Sequence, residues 1–378
     1  MDDGVAASNR VFRDYMVLAK IPESQVITSL VLAPVSGEGV PAYHPGQHLI
    51  FRLDAPGAKI LRHYSISGDP AAPGALRVSV KREPPPRDRP ELPPGVGSGH
   101  MHDRVQVGDT LTAAGPVGDF VLAEDSGRPV LLLSGGVGLT PMMCMLHRLV
   151  QASSRPVYFV HACENGEVHA FADEVAALAR QRPGVRVHFC YREPTVQDRE
   201  RPRFQSTGLI NRETLQTLLP LDDYDVYLCG PPAFMQANWR LLRGLGIAAD
   251  RIHYEFFGPA TVLETDQDVS GTSVERDAQA SSGAESGGDG SGAIQVKFGP
   301  SGITVPWDDG CPSLLDLAEQ AGLSPNYNCR AGLCNTCMST LVAGEVDYFE
   351  EPLDPPPEGK VLLCCSRPVG SVVIELAS

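Results

Sequence analysis

The chain has 378 residues, 42% of them hydrophobic, which is enough for two or three domains that each bury a core. A formal net charge of −15 argues against nucleic acid or an anionic membrane surface as a partner, and favours a basic patch on another protein. No apolar run approaches the roughly 18 residues of a spanning helix, and the acidic N-terminus lacks a signal-peptide pattern. We therefore expect a cytoplasmic protein whose ten cysteines are ligands or buried thiols.

Residues 11–124 predict an antiparallel β-barrel, because short apolar runs alternate there with Gly and Pro. The predicted strands are QVITSLVLAP, QHLIFRLD, LRVSVKRE and TLTAAGPVGDFVLA. Within this region, LRHYSISGDP brings three useful side chains together. Arg62 can bind a phosphate, Tyr64 can lie against a flat ring, and Ser65 can hydrogen-bond a ring nitrogen. By themselves these residues also fit an ordinary strand edge.

Residues 125–263 predict a parallel sheet with helices on both faces, because strand-like and helical segments alternate. The strands are PVLLLS, PVYFVHA, VRVHFCYRE and DVYLCG, and the helices are TPMMCMLHRLVQA, VHAFADEVAALARQ and PAFMQANWRLLRGLG. His161 and His169 in this region suggest a metal pair, although surface or turn positions explain them more simply.

The stretch PVLLLSGGVGLTPM reads as a strand, a Gly-rich turn and a helix with Thr140 as its N-cap. Gly135, Gly136 and Gly138 would let the backbone approach a pyrophosphate at the helix N-terminus, although a turn without a ligand is possible. Cys229 and Gly230 end a later parallel strand, where ligands lie in open α/β sheets.

Residues 264–292 predict a flexible linker, because Gly, Ser, Asp and Glu dominate and only two aliphatic residues exceed Ala in size. The remaining residues, 293–378, form a separate module. Its segment AIQVKFGPSGITVPW predicts a hairpin, and SLLDLAEQAG predicts a helix capped by Ser313 and ended by Gly322.

Three cysteines in this module, Cys329, Cys334 and Cys337, have the C-x₄-C-x₂-C spacing of plant-type [2Fe–2S] proteins. The fourth thiolate would come from Cys364 or Cys365 in VLLCCSRP. Zinc or loose thiols are the alternatives, but zinc prefers two separated C-x₂-C pairs.

The module resembles the plant-type ferredoxin domain, a β-grasp fold. The resemblance implies that Cys364 is the fourth ligand, because that family places it four residues before the proline that matches Pro368, and that Cys365 is a neighbour. Asn335 stands where many members have Gly, and Asn tolerates positive φ.

Residues 11–260 resemble the ferredoxin-reductase family, and most closely the reductase half of flavohaemoglobins. The matching stretches are YHPGQHL, RHYSIS, SVKRE, VGDTLTAAGPVGDF, LSGGVGLTPM, HACENGEVHAFADEV, YLCGPPAFM and IHYEFFGP. The ten residues before Val11 are too few for a globin, so we expect no haem chemistry in this chain.

The resemblance implies a role for each matching residue. Arg62 would bind flavin phosphate, Tyr64 would pack on the isoalloxazine, and Ser65 would lie near flavin N5. Cys229 would face the nicotinamide, and Glu255 would tune the flavin and its proton; Ser65, Cys229 and Glu255 are thus the expected catalytic residues. The other expected cofactor-binding residues are His48 (in place of a flavin-contacting Tyr), His63, Ser98, Gly135, Gly136, Val137, Gly138, Leu139, Thr140, Gly230, Phe256, Phe257, Gly258 and Pro259.

The family's flavin diphosphate turn is altered here to SGHMH, Ser98 to His102, after a Pro-rich insertion. A serine at a helix start can still bind phosphate, and FAD is favoured over FMN. NADH is favoured over NADPH because oxygenase reductases usually use it, although Tyr191 and Arg192 could contact a 2′-phosphate.

These expectations together describe an electron-transfer flavoprotein with three parts. NAD(P)H would reduce FAD, the [2Fe–2S] cluster would receive single electrons, and a partner oxygenase, a Rieske-type non-haem iron enzyme first of all, would accept them. The alternatives are a reductase for a P450, a di-iron hydroxylase or a desaturase, and a redox-sensing module without turnover.

Overall fold

The computed structural model of the chain describes residues 11–55, 58–72, 74–85, 91, 94–257, 294–308, 310–327 and 329–377. Its contacts divide the chain into two compact units, Met1–Gly258 and Pro259–Ser378. The predicted linker, 264–292, and the predicted site residues Gly258 and Pro259 lie outside the described residues. In the described part of the chain, no helix combines the length and the apolarity that a membrane crossing requires.

The first unit begins with a six-stranded antiparallel sheet in the order β4-β3-β6-β1-β2-β5. Its strands are β1 (Arg13–Pro22), β2 (Ile27–Pro34), β3 (His48–Ala55), β4 (Ala58–Ser65), β5 (Leu76–Lys81) and β6 (Thr110–Val117). A bridge between Ile66 and Val78 joins the two edges, so the sheet closes into the predicted barrel. Helix α1 (Val96–Asp103) lies between β5 and β6 in the chain.

The second part of this unit is a six-stranded sheet, all parallel, in the order β10-β9-β8-β7-β11-β12. Its strands are β7 (Val130–Gly135), β8 (Val157–Cys163), β9 (Val185–Tyr191), β10 (Ser206–Thr207), β11 (Asp225–Gly230) and β12 (Ile252–Phe256). The helices are α2 (Leu139–Ala152), α3 (Ala172–Gln181), α4 (Val196–Glu200), α5 (Arg212–Leu218) and α6 (Pro232–Gly244). Strands β7 and β11 are buried along their whole length, which explains their unbroken apolar sequences.

Two details of this part differ from the sequence predictions. Helix α2 begins two residues earlier than predicted: a 3₁₀ turn at Gly136–Gly138 leads into it, and Gly138 is its N-cap. Thr140 is therefore inside the helix, where its hydroxyl donates to the Val137 carbonyl at 3.0 Å. His161 and His169 are buried and not on the surface. Ser134 and Tyr191 lie within hydrogen-bond distance of them, at 2.9 and 2.8 Å.

The second unit is a mixed five-stranded sheet, β14-β13-β19-β15-β17, with a separate pair, β16 and β18. Its elements are β13 (Gln295–Gly299), β14 (Ile303–Pro306), α7 (Leu314–Gln320), β15 (Met338–Ala343), β16 (Val346–Tyr348), β17 (Lys360–Leu362), β18 (Ser366–Pro368) and β19 (Val372–Glu375). Strands β13 and β14 form the predicted hairpin. Ser313 caps α7 by accepting from the Asp316 N–H at 3.2 Å, and Gly322 follows the helix at φ +76°, as predicted.

One contact between the barrel and the α/β part is centred on a carboxylate, that of Glu174 of α3. Arg77 of β5 donates to it through two nitrogens, at 2.8 and 2.9 Å, and His147 of α2 lies at 2.7 Å. Arg77 also lies over the ring of Phe171, 4.7 Å from its centroid. Burial raises the pKa of Glu174, but hydrogen bonds from His147 and Arg77 outweigh it and lower that pKa to about 2. The ionised carboxylate therefore stabilises the contact between the two parts.

We expect Glu174→Gln to lower the melting temperature of the protein at pH 7 by roughly 5 °C, because the ion pair contributes about 2 kcal/mol. The lowered pKa makes this contribution complete above pH 4.5, the ordinary value, and it fades as the pH falls towards 2. Thermal melts from pH 7 to pH 3 should therefore show the gap between wild type and variant closing. Asp173→Asn removes a neighbouring carboxylate that forms an exposed pair with Arg203, and it should change the melting temperature little. A difference in melting temperature that stays constant with pH would contradict this account.

Candidate functional site

A cleft of about 280 Å³ lies in the first unit, and both the barrel and the α/β part contribute to its walls. It is lined by eight residues predicted from the sequence, namely Arg62, His63, Tyr64, Ser65, Ser98, Val137, Thr140 and Phe257. The predicted phosphate-binding, ring-binding and nucleotide-binding residues thus meet in one place. This convergence is the central geometric result for the site.

One end of the cleft suits a phosphate. The Arg62 side chain lies across Gly97, whose missing Cβ would be 2.7 Å from the Arg62 Cγ. The first turn of α1, from Val96, leaves backbone N–H groups without helical partners. The hydroxyl of Ser98 is already engaged, because it donates to the Gly95 carbonyl and accepts from the Glu83 N–H, both at 3.1 Å. An anion would therefore be held by the helix amides and Arg62, with Ser98 fixing the turn.

The other end of the cleft carries buried polar atoms without a protein partner. The Ser65 hydroxyl, which lines the cleft, is one. Behind the lining, neither ring nitrogen of His48 nor one Glu255 oxygen makes a hydrogen bond, although His48 Nδ1 lies 3.4 Å from Glu255 Oε1. Buried polar groups are nearly always hydrogen-bonded, so this cluster fits a polar ligand such as the edge of an isoalloxazine ring. Burial also raises the pKa of Tyr64, which keeps its phenol neutral beside the ring.

The Gly-rich turn packs directly on the end of β11. A Cβ at Gly138 would lie 2.2 Å from the carbonyl oxygen of Cys229, so only glycine fits there. A Cβ at Gly135 or Gly230 would meet the ring of Phe234 at 2.8 or 2.6 Å. The two predicted nucleotide elements therefore form one surface at the carboxyl ends of β7 and β11.

Several predicted residues lie behind the lining of the cleft. Cys229 is fully buried, and burial followed by the charge of Glu255 raises its pKa well above the ordinary value. Glu255 lies opposite Cys229 in the β11–β12 pairing, and Phe256 is buried beside it. Gly136 adopts φ +54° in the turn, and Leu139 is buried at the start of α2.

Five lining residues were not predicted: Ser79, Lys81, Glu83, Gly95 and Gly97. The first three alternate along and just beyond β5, so the two-residue period of a strand places them on one side. The sequence SVKRE therefore contained a usable signal, whereas Gly95 and Gly97 follow a Pro-rich segment that has no periodic pattern.

A second cleft, of about 320 Å³, lies at the carboxyl ends of β8 and β9. Its lining includes Gly166, His169, Tyr191, Thr195, Asp198, Arg201 and Arg203, with three further residues near them. Arg192 is not part of its lining, whereas Tyr191 is. Asp198 is held by the N–H groups of Gly166 and Thr195.

In the second unit, the four predicted cluster ligands come together. The sulfurs of Cys337 and Cys364 are 3.3 Å apart, and Cys329 is within hydrogen-bond reach of Cys334 and Cys364. Backbone N–H groups point at three of the sulfurs, from Gly332 to Cys364, from Leu333 to Cys329 and from Thr336 to Cys334, at 3.3–3.4 Å. Thiolates and cluster sulfides are stabilised by such donors, so the site fits a [2Fe–2S] cluster.

The backbone of this loop is folded by three residues with positive φ, namely Arg330, Gly332 and Asn335. Asn335 at φ +57° behaves as its tolerance of this region predicts. The Cys365 sulfur lies 3.8 Å from the Leu362 carbonyl and against Gly332. All ten cysteines are among the described residues, and each is a free thiol.

Three family models match the chain, and together they account for both units. They are the oxidoreductase FAD-binding domain over residues 17–122, the oxidoreductase NAD-binding domain over 132–239 and the 2Fe-2S iron-sulfur cluster binding domain over 296–369. The predicted cofactors FAD, NAD(P)H and [2Fe–2S], and the predicted fold classes of the three domains, are thereby confirmed.

The first unit is similar to flavohaemoproteins. The flavohemoprotein of Bacillus cereus is 43% identical over 258 residues, which are 67% of this chain and 62% of that protein. The chain thus spans less than two thirds of the curated relatives it matches. The solved flavohem-like FAD/NAD-binding domain of nitric oxide dioxygenase from Vibrio cholerae is 36% identical, with a TM-score of 0.58 over 65% of this chain and 99% of that one.

Two solved structures share the fold along nearly the whole chain. Phthalate dioxygenase reductase, described as a modular structure for electron transfer from pyridine nucleotides to [2Fe–2S], has a TM-score of 0.55 at 22% identity, over 97% of this chain and 98% of that one. A type IV self-sufficient cytochrome P450 monooxygenase has a TM-score of 0.57 at 24% identity, over 97% of this chain and 41% of that one.

The domains, the cleft and the cysteine loop together make the chain an NAD(P)H oxidoreductase that transfers electrons through FAD and a [2Fe–2S] cluster. It belongs to the ferredoxin-reductase family, with a flavohaemoprotein-like FAD/NAD-binding unit followed by a C-terminal 2Fe-2S ferredoxin domain.

Proposed function

We propose that the protein is the reductase component of an oxygenase system and delivers single electrons to a separate oxygenase, of the Rieske non-haem iron type. The observation that carries the reductase function is the cleft, where barrel residues Arg62 and Ser65 meet Val137 and Thr140 of the nucleotide turn. Such a meeting of a flavin-type and a nucleotide-type surface is what hydride transfer between two bound cofactors requires.

FAD supplies the ability to accept a hydride from NAD(P)H and to release electrons singly, and the [2Fe–2S] cluster supplies a one-electron carrier. The chain's residues bind and orient these groups. Arg62 and the first turn of α1 would neutralise the diphosphate, and the Ser65 hydroxyl would hydrogen-bond the ring. Tyr64 would pack on one face of the ring and the partly exposed Phe257 on the other.

The backbone of Gly135, Gly136 and Gly138 would approach the pyrophosphate of NAD(P)H, because those positions lack side chains that would block it. The fully buried Cys229, kept as a neutral thiol by its raised pKa, would lie under the nicotinamide without reacting. Glu255 behind it would complete the catalytic set with Ser65 and Cys229. The other residues that we propose to bind the cofactors are His48, His63, Ser98, Val137, Leu139, Thr140, Gly230, Phe256, Gly258 and Pro259.

We assign the cluster to Cys329, Cys334, Cys337 and Cys364. Backbone donors and sulfur contacts favour Cys364 as the fourth ligand, whereas Cys365 points at the Leu362 carbonyl. We also assign the domains as 11–124, 125–263 and 293–378, with a linker at 264–292; each family-model match falls within one of these domains.

The choice of an oxygenase as acceptor rests on two observations. The fold of phthalate dioxygenase reductase matches the chain from end to end. The module from residue 293 to 378 also carries eleven acidic and four basic residues, a formal charge of −7, which would steer it towards a basic face on its partner. The P450 monooxygenase match supports a P450 as the second candidate.

Electron delivery to purified acceptors tests this choice. With NADH as donor, we expect a Rieske-type oxygenase to be reduced faster than a P450 at equal concentration. The rate should fall as salt rises, because exposed charges are screened. Faster reduction of the P450 would transfer the proposal to that class, while leaving the reductase function intact.

We expect Arg62→Ala to raise the dissociation constant for FAD about 10- to 100-fold, because a charge-assisted hydrogen bond contributes about 1.5–3 kcal/mol. The measurement is flavin absorbance per protein after dialysis, with the released flavin identified after denaturation. Arg104→Ala, at the exposed far end of the same helix, is the control and should keep its flavin. FMN alone in the wild-type extract would refute the diphosphate site.

We expect Cys337→Ser to abolish the cluster spectrum and cytochrome c reduction, while ferricyanide reduction, which can draw on flavin directly, largely survives. Cys364→Ser should behave in the same way, because its sulfur lies against those of Cys337 and Cys329. The matched control is Cys365→Ala, which should retain the cluster. Loss of both activities with flavin still bound would contradict the order of electron flow. If only Cys365→Ala loses the cluster, the fourth ligand is Cys365 and not Cys364.

A further inference from the structure

Arg330 joins the cysteine loop of the second unit to helix α7. It follows the proposed ligand Cys329, and its Nη1 donates to the Asp316 carboxylate at 3.1 Å. Its Nη2 donates to the two oxygens of Glu319, at 2.6 and 2.8 Å. The guanidinium group also lies over the ring of Tyr327, 4.1 Å from its centroid. Three side chains therefore hold this one arginine, and two of them belong to the helix.

Helix α7 is a rigid attachment point for the loop. The core of the second unit contains its buried residues, Leu314, Leu315, Leu317 and Ala318. Its first turn is closed by a reciprocal contact: the Asp316 N–H donates to the Ser313 hydroxyl oxygen at 3.2 Å, and that hydroxyl donates to the Asp316 Oδ2. Arg330 binds the other oxygen of the same carboxylate. The helix therefore fixes the position of Arg330.

The backbone of Arg330 adopts φ +51°, in the left-handed region that residues with a Cβ enter rarely and at an energetic cost. Two N–H groups shortly after it in the loop are donors to sulfur. Gly332 donates to Cys364 and Leu333 donates to Cys329, both at 3.3 Å. Since the dihedral angles of Arg330 set the direction of the chain that follows, relaxation of this residue would turn the donors away from the sulfurs.

The ion pairs of Arg330 differ in geometry from an ordinary surface contact. Isolated exposed pairs contribute little to stability, whereas bidentate pairs and networks of several charges contribute more. Arg330 has both features, because it meets both oxygens of Glu319 and shares Asp316 with the helix cap. The side chains of Glu319 and Asp316 are 24% and 30% exposed, so solvent screens these contacts only in part. The network therefore opposes relaxation of the left-handed backbone.

We propose that Arg330 is a positioning residue for the [2Fe–2S] cluster: by holding the loop against α7, it keeps the backbone N–H donors on the sulfurs and raises the midpoint potential of the cluster. The proposal rests on the proposed ligands Cys329, Cys334, Cys337 and Cys364. Reduction adds one electron, and hence one negative charge, and N–H donors stabilise the sulfurs more as that charge grows. Loss of the donors therefore favours the oxidised form and lowers the potential.

The positive charge of Arg330 is a second reason for a shift in potential, and the two reasons predict different results. Acting only through their charges, Arg330 would raise the potential and Glu319 would lower it. Removing both charges at once, in Arg330→Gln/Glu319→Gln, would then leave the potential close to that of wild type. Acting through the position of the loop, the two residues are needed together, and the double variant has a lower potential.

The test is the midpoint potential of the cluster, measured by EPR-monitored redox titration of the full chain with its cofactors. We expect a lower potential than wild type in Arg330→Gln/Glu319→Gln, although the net charge of the protein is unchanged. We also expect a lower potential in Arg330→Lys, because lysine keeps the charge but cannot form the bidentate contact. Arg330→Lys carries the test if the double variant does not retain its cluster. If Arg330→Lys also loses its cluster, Arg330 serves retention of the cluster and not its potential, and the proposal fails.

The matched control is Lys297→Gln/Glu375→Gln, which also removes one charge of each sign. Both residues are exposed, and their strands β13 and β19 carry no cysteine. The control should keep the wild-type potential. Wild-type potentials in both Arg330→Lys and the double variant, or an equal shift in the control, would overturn the proposal. Cys337→Ser separates the two levels: if it retains the cluster, the ligand assignment fails, whereas unchanged potentials refute only the role of Arg330.

Discussion

The contact between the barrel and the parallel sheet is the constraint on which the rest of the first unit depends. The Glu174 carboxylate accepts from Arg77 of the barrel and lies 2.7 Å from His147 of α2. Gly46 allows the barrel to approach α2 closely, because a Cβ there would be 2.6 Å from Met145. Neither part has the cleft alone: the barrel offers a phosphate end and a hydroxyl, and the sheet offers a glycine turn. The chemistry of the site is therefore a property of the interface.

The fold could be predicted from the sequence wherever burial is one-sided or complete. Strands β7, β8 and β11 are apolar over most of their length, and the chain alternates them with amphipathic helices. Strand β1 was not predicted, and β4 was considered only as a strand edge, because RDYMVLAKIP and AKILRHYS carry charged residues that interrupt the pattern. Their place in the barrel depends on neighbours far along the chain, which the periodicity of a short segment does not register.

The candidate site was predicted where a local motif contains the chemistry, as in RHYS and in the cysteine spacing. It was missed where the chemistry arises from contact between distant residues. His161 and His169 looked like surface residues because their partners, Ser134 and Tyr191, are 27 and 22 residues away. The pairing of His48 with Glu255 spans most of the first unit, so the sequence contained each residue but not the pair.

Both parts of the unit supply walls of the cleft, and this affects the stability of the protein in a cell. A ligand that binds only the folded state adds to its stability by mass action, and a ligand in this cleft would contact both halves of the unit. Chains made when riboflavin is scarce would lack this added stability and open more often at the barrel–sheet contact. Because proteases act on such opened forms, the abundance of the reductase would follow the supply of its vitamin precursor.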